Sequence, residues 1–194
     1  TGKIIQLSEE QEDRLLKIEG IEELTQVIEE RVILSYKQKS NPAYIKGVDA
    51  NYQQVNKIDS AIVFGTWLTK SEPQVVIGNG LSRLLDIGTF NYQNLLKIMV
   101  PKPGKGQVTM TNIQNAFSTR QTIVSGVYSV NEELDSKYVF TNINFARDLL
   151  SMQPDEVTGV EFKISSEADL DRISKEIIAV LGDNVQIKTR EELN

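Results

Sequence analysis

The two ends of the chain carry the same order of local signals: a strand, a capped helix and a further strand. Near the start, Ser8 is an N-cap candidate and Gly20 is a stop signal for a short helix, because serine caps a first turn and glycine accepts the left-handed conformation that ends a helix. Near the end, Ser166 and Asp169 form a capping-box pattern before a helix that Gly182 ends. Neither unit can bury its apolar face alone, so the two ends are predicted to share one α+β layer.

The strands of these units are read from β-branched and aromatic runs. At the head, the sequence LTQVIEERVILSYKQ is followed by a turn signal at Asn41-Pro42 and then by AYIKGVD, which predicts the order β-α-β-β. At the tail, TGVEFKI precedes the helix and VQIKT follows it as a final strand.

The middle of the chain is rich in apolar strand-like runs, among them AIVFGTWL, LLKIMV and QTIVSGVYSV. Two further runs, from Val75 to Leu85 and from Val139 to Leu150, predict a strand followed by a short helix. We therefore predict an α+β fold in which residues 1–50 plus 152–194 form one subdomain. Residues 51–151 form an inserted, strand-rich mixed subdomain with mainly antiparallel pairing.

Composition excludes several classes of function. The 194 residues contain no His and no Cys and carry a net charge of −6, which removes the usual zinc ligands, thiol nucleophiles and the basic surface on which nucleic-acid binding depends. No run approaches the roughly 20 apolar residues of a membrane-spanning helix. Because the chain opens on Thr1 without the layout of a signal peptide, we expect a segment of a longer protein.

Two glycine-containing stretches raise the question of phosphate binding. The stretch PGKGQVT lacks the spacing of a phosphate-binding loop, and Gly78 and Gly80 in VIGNGLSRLL lack the third glycine of the dinucleotide fingerprint. We expect no bound nucleotide, cofactor or metal. The carboxylate pairs Glu22/Glu23, Glu29/Glu30 and Glu132/Glu133 are interpreted as solvated surface, since adjacent strand residues point to opposite faces and runs of Glu in loops are usually solvated.

The segment from Pro101 to Gln121 is long for a connection between two strands, because hairpin loops usually have two to five residues. Its base carries prolines and glycines, and its middle carries apolar side chains. Spacing alone leaves two interpretations open: the segment packs back onto the sheet, or it projects into solvent.

Four stretches in order along the chain resemble one family: NPAYIKGVD, VVIGNGLSRLLDI, LKIMVPKPGKG and QTIVSGVYSVNEELDSKYVFTNINFARDLL. They are similar to the periplasmic core domain of MacB-like ABC-transporter permeases, and most similar to the lipoprotein-releasing permeases. The resemblance implies a split β-α-β "porter" subdomain built from both chain ends, between two membrane helices of a longer protein.

The resemblance also implies a function and a location. The domain would lie at the periplasmic face of the bacterial inner membrane and transmit motion driven by a separate cytoplasmic ATPase subunit, beside a second permease copy or paralogue. It would itself be non-catalytic. In the lipoprotein-releasing members, the hairpin after the MVP strand is a hook that engages a periplasmic lipoprotein carrier. The corresponding positions here are Lys102, Pro103, Gly104, Lys105, Gly106, Val108, Met110, Ile113 and Phe117.

Two alternatives stay open at this point. The chain can be the ectodomain of a MacB-type exporter, or of a cell-division-type signalling permease, that docks on a partner protein. An independent enzyme is disfavoured by the absence of His, Cys and a convergent polar motif.

Overall fold

A computed structural model describes residues 3–69, 73–102, 116–189 and 192 of the chain. These residues form ten strands and six α-helices. The strands are β1 Ile5–Gln6, β2 Ile21–Tyr36, β3 Lys39–Val48, β4 Ile62–Gly65, β5 Gln74–Gly78, β6 Leu96–Pro101, β7 Phe117–Tyr128, β8 Tyr138–Asn142, β9 Glu156–Val157 and β10 Gly159–Ile164. The helices are α1 Glu9–Leu16, α2 Tyr52–Asn56, α3 Asn79–Leu85, α4 Glu132–Asp135, α5 Ile143–Leu150 and α6 Leu170–Leu181.

Six of the strands pair in a closed cycle. β2 pairs with β3, β3 with β8, β8 with β5, β5 with β7, β7 with β6, and β6 returns to β2. The β3–β8 and β5–β7 pairs are parallel and the other four are antiparallel. β10 lies beside the first half of β2, and β4 lies beside the end of β7. The mixed, strand-rich α/β character predicted from the sequence is confirmed.

Alternate residues of the paired strands supply the largest core cluster. Val32, Leu34 and Tyr36 of β2 are buried on one face, as expected for a strand whose successive side chains point to opposite faces. Partners from the other strands of the cycle and from α3 and α5 complete this cluster. The strand positions therefore follow from a period of two, whereas the closure of the cycle depends on contacts between distant segments.

A second core cluster joins the two ends of the chain. Leu15 of α1, Leu24 of β2 and Ile173 of α6 are buried in it, together with Val157 of β9. β1 pairs with β9, and the Lys3 ammonium donates a hydrogen bond to the backbone carbonyl of Asn184. The head and tail of the chain thus share one apolar core. The division into a 1–50 plus 152–194 subdomain and a 51–151 insert, and the split porter layout, stay predictions.

The predicted turn at Asn41-Pro42 is wrong. Both residues lie inside β3, and the chain reverses at Lys37, which has a left-handed φ of 52°. Pro42, which has no N–H to donate, is tolerated because β8 pairs with β3 only from Tyr44 onward. At Pro42, β3 therefore has a paired strand, β2, on one side only.

Two details of the tail also differ from the prediction. Asp169, not Ser166, caps α6, and its carboxylate accepts the N–H groups of Asp171 and Arg172. Residues 185–189 are irregular instead of forming a strand. Ile187 packs against the core of the two chain ends, so burial of its side chain does not require a strand pairing.

Within the part of the chain that the structure describes, no helix is long and apolar enough to cross a membrane.

Candidate partner-binding surface

The hairpin formed by β6 and β7 has a regular base. Its register runs from Leu96 opposite Thr122 to Pro101 opposite Phe117, and the Lys102 N–H donates to the Ala116 carbonyl at 2.8 Å. Lys102 is exposed and Phe117 is half-buried. Residues 103–115 therefore connect two strands that are paired up to their last described residues.

The sequence placed a hook in this connection. Of its predicted residues, Lys102 and Phe117 lie at the base of the hairpin. The hook itself stays a prediction, since its other residues lie outside the described ranges: Pro103, Gly104, Lys105, Gly106, Val108, Met110 and Ile113.

An ion pair attaches the base of the hairpin to a helix. The Arg120 Nε of β7 donates to the Asp148 Oδ2 of α5 at 2.6 Å. This hydrogen bond lowers the pKa of the Asp148 carboxyl and raises the pKa of the Arg120 guanidinium. Both side chains are largely exposed, so the pair contributes little to stability.

The outer face of β2, β3 and β8 carries tyrosine rings covered by cations. The Arg31 guanidinium lies 5.8 Å from the centre of the Tyr44 ring, and the Lys137 ammonium lies 5.3 Å from the same ring and 5.0 Å from that of Tyr138. The Tyr138 hydroxyl donates to the Glu29 carboxylate at 2.8 Å. Burial, followed by this hydrogen bond, raises the pKa of the Tyr138 hydroxyl. Glu29 is thus half-buried and bonded, which corrects its interpretation as solvated surface.

A second polar cluster connects the tail of the chain to the middle. Glu161 of β10 forms an ion pair with Lys46 of β3 and accepts a hydrogen bond from the Asn56 amide of α2 at 2.8 Å. The Lys46 ammonium also lies 5.4 Å from the centre of the Tyr52 ring. Burial on its own lowers the pKa of Lys46, but the combined attraction of Glu161, Tyr52 and Glu29, with the hydrogen bond to Glu161, raises that pKa to about 12. For Tyr52, whose neutral form is the protonated one, burial instead raises the pKa, to about 12.

The glycines of VIGNGLSRLL are explained by packing. A Cβ on Gly78 would lie 2.1 Å from the Asp135 carbonyl oxygen, and one on Gly80 would lie 2.3 Å from the Ser136 hydroxyl. The start of α3 therefore presses directly against the end of α4. Asp135 is buried and accepts hydrogen bonds from the Ser129 hydroxyl and the Val130 N–H.

Asp49 has a similar structural role, accepting from the Thr25 hydroxyl and the Gln26 N–H. Among the described residues, no group of three or more acidic side chains is placed to hold a metal ion. The arrangement of the described side chains provides surfaces for contact and polar links between strands.

The fold is that of the extracytoplasmic domains of ABC transporters. It is similar to the extracellular domain of the noncanonic ABC-type transporter YknZ from Gram-positive bacteria, with a TM-score of 0.64, 15% identity, and coverage of 94% of this chain and 93% of that one. It is also similar to the periplasmic region of MacB from Actinobacillus actinomycetemcomitans, with a TM-score of 0.59, 16% identity, and coverage of 91% and 73%.

The sequence is also similar to that of a lipoprotein-releasing protein. The lipoprotein-releasing system transmembrane protein LolC of Buchnera aphidicola subsp. Schizaphis graminum is 23% identical over 149 residues, which are 77% of this chain and 36% of that protein. The chain thus spans about a third of the length of this relative. No family model matches the chain. The resemblance to MacB-like permease domains, including the lipoprotein-releasing type, is confirmed by these similarities.

Proposed function

We propose that the chain is the periplasmic domain of an ABC-transporter permease and that it engages a lipoprotein carrier or lipoprotein cargo through the β6–β7 hairpin. In this proposal the domain lies at the periplasmic face of the bacterial inner membrane. A separate cytoplasmic subunit hydrolyses ATP, and a second permease copy or paralogue completes the transporter. The domain contributes recognition and movement, not catalysis.

The observation that carries the proposal is the hairpin itself. Its strands are paired out to Lys102 and Ala116, and residues 103–115 continue from that base with Val108, Met110 and Ile113 among them. Apolar side chains that a partner covers each contribute about 1.5–3 kcal/mol. The similarity to LolC supports a carrier or cargo as that partner.

A second candidate is the ectodomain of an exporter or signalling permease that docks on another protein. The similarity to the MacB periplasmic region, which covers 91% of this chain, supports it. The two candidates differ in the partner: the first requires a lipoprotein carrier, whereas the second requires an adaptor or a regulated protein.

A replacement of the hairpin end tests the first candidate. Because the Lys102 N–H donates to the Ala116 carbonyl, residues 103–115 can be replaced by an Asn-Gly turn that closes the same two strands. The melting temperature should stay nearly unchanged. Capture of the purified periplasmic lipoprotein carrier from the same organism should weaken about tenfold or more, which corresponds to about 1.4 kcal/mol.

Point variants make the test independent of the deletion. Met110→Ser and Ile113→Ser should weaken carrier capture, whereas Val63→Ser and Phe64→Ser, which remove exposed apolar side chains from β4, should leave it unchanged. If the carrier binds the shortened protein at full strength, or if the replacement unfolds the domain, the hook proposal is wrong. Capture of an exporter adaptor in place of the carrier would establish the second candidate.

A further inference from the structure

The end of the sheet at which β2 turns into β3 is basic. Residues 35–40 and 87–97 contain Lys37, Lys39 and Lys97 and no Asp or Glu, in a chain whose acidic residues outnumber its basic ones by 27 to 21. All three lysines are exposed. The local charge is therefore opposite in sign to that of the whole chain.

Contacts bring the two segments together. Tyr36 of β2 lies opposite Lys39 of β3, and Ser35 of β2 lies opposite Lys97 of β6. The Lys37 ammonium lies 5.1 Å from the centre of the Tyr36 ring. The Asn91 amide donates to the Tyr36 hydroxyl at 2.9 Å, which fixes the loop before β6 against the β2–β3 turn.

Two aromatic side chains flank Asn91 in that loop. Phe90 is 42% exposed and Tyr92 is 66% exposed. Phe90 also has a left-handed φ of 55°, which is unusual for a bulky residue. Its N–H donates to the Val124 carbonyl at 2.8 Å, which holds the backbone in this conformation. A strained, exposed aromatic side chain that the surroundings hold in place is a common feature of binding surfaces.

We propose that Lys37, Lys39, Phe90, Tyr92 and Lys97, here called the lysine–aromatic end, bind an acidic segment of a partner protein that also carries apolar or aromatic side chains. Three exposed lysines on two segments that contain no Asp or Glu attract carboxylates. The exposed rings provide the apolar contact area that interfaces concentrate in aromatic residues. The surface is distinct from the hairpin, which follows the opposite end of β6.

A protein is favoured over a lipid surface by position. β2 has 16 residues, so its turn lies up to about 50 Å from the strand start near the chain ends, at about 3.3 Å per residue. Under the proposed function, on which this choice rests, both chain ends continue toward the membrane. The lysine–aromatic end then faces away from that membrane.

The test uses the whole chain and a fluorescein-labelled, glutamate-rich copolymer of glutamate and tyrosine, with polyglutamate of the same length for comparison. Fluorescence anisotropy should show tighter binding of the copolymer. The triple variant Lys37→Glu, Lys39→Glu, Lys97→Glu should weaken copolymer binding about tenfold or more. A control with the same net charge, Lys17→Glu, Lys57→Glu, Lys175→Glu, should weaken it by less than about threefold, because distant charges are screened at about 0.1 M salt.

Phe90→Asn separates binding from folding. Asparagine accepts the left-handed conformation more readily than phenylalanine, so the melting temperature should stay the same or rise while copolymer binding weakens and polyglutamate binding does not change. Equal effects of the two triple variants, or copolymer binding that is insensitive to Phe90→Asn, would overturn the proposal.

Vesicles of phosphatidylglycerol test the lipid alternative. If the lysine–aromatic variants abolish vesicle binding but leave copolymer binding intact, the occupant is a membrane and the proposal is wrong. Carrier capture by the hairpin variants is measured separately, so failure of the proposed function is distinguished from failure of this inference.

Discussion

Substituting Glu161 by Gln tests the polar link between the tail of the chain and its middle. Glu161 of β10 reaches across β2 to Lys46 of β3, where the Lys46 side chain is only 15% exposed and that of Glu161 is 31% exposed. The substitution removes the countercharge but keeps an oxygen that can accept the Asn56 hydrogen bond. A buried ammonium that loses its partner is destabilising, because its desolvation is no longer offset.

The magnitude follows from the pKa of Lys46. Its rise from 10.5 to about 12 corresponds to roughly 2 kcal/mol, at about 1.4 kcal/mol for each pKa unit. Since Glu161 is nearly a third exposed, solvent screening reduces this by about half. We expect Glu161→Gln to lower the free energy of unfolding by about 1 kcal/mol at pH 7.

Urea unfolding at pH 7 provides the measurement, and Glu22→Gln is the matched control. Glu22 of β2 forms a cross-strand ion pair with Lys163 of β10 at 2.8 Å, but both side chains are 45% exposed. Removing this exposed pair should have little effect on the free energy of unfolding, because solvent screens it. Equal losses in the two variants would refute the argument that burial decides the strength of the Lys46–Glu161 pair.

The same pair predicts a loss of stability at high pH. Because the pKa of Lys46 is raised from 10.5 to about 12, its contribution is complete below pH 10.5 and is lost as the pH rises toward 12. Burial raises the pKa of Tyr52 from 10.0 to about 12, and this acts in the same direction from pH 10. In Glu161→Gln the part of this loss that comes from Lys46 should shrink, because burial alone lowers the pKa of Lys46 and Glu161 no longer raises it. Stability that is constant between pH 10 and 12 would contradict the assignment.

Local signals in the sequence predicted most of the elements. The Ser8 cap and its partner Gln11 form a complete capping box in α1, and Gly182 ends α6. Each of these features depends on residues within one or two turns. The misplaced turn at Asn41-Pro42 shows the limit of such signals, since a proline is acceptable inside a strand wherever a neighbour is missing.

The candidate surfaces were predicted only in part. The length of the segment from Pro101 to Gln121 predicted a projecting hairpin, which stays a prediction beyond its base; the predicted segment was too long, since residues 117–121 belong to β7. The link between Lys46 and Glu161 joins residues 115 positions apart, and no spacing rule connects them. The left-handed Phe90 was equally hidden, since its conformation is imposed by contacts with β7 and not by a glycine or asparagine at that position.

One strand connects the chain ends to the hairpin. The first half of β2 contributes Leu24 and Ile28 to the core shared by the head and the tail, and its second half pairs Ile33 with Met99 of β6. β6 leads into the hairpin two residues later. Under the proposed function, a displacement at the membrane side is passed along β2 and then, through the pairing of β2 with β6, to the base of the hairpin.

Two substitutions test how the ends and the middle are held in shape. Asp169→Ala removes the N-cap of α6 and should lower the free energy of unfolding by about 1 kcal/mol, whereas Asp183→Ala, beyond the end of that helix, should have little effect in the same urea titration. Gly78→Ala places a Cβ 2.1 Å from the Asp135 carbonyl oxygen. Because that atom belongs to the backbone, α4 must move, and we expect a loss of about 2 kcal/mol or more. Gly88→Ala meets no atom within 4 Å and should be neutral or slightly stabilising. If Gly78→Ala melts at the wild-type temperature, the contact between α3 and α4 is looser than its geometry indicates, and the glycines of this turn then have no packing explanation.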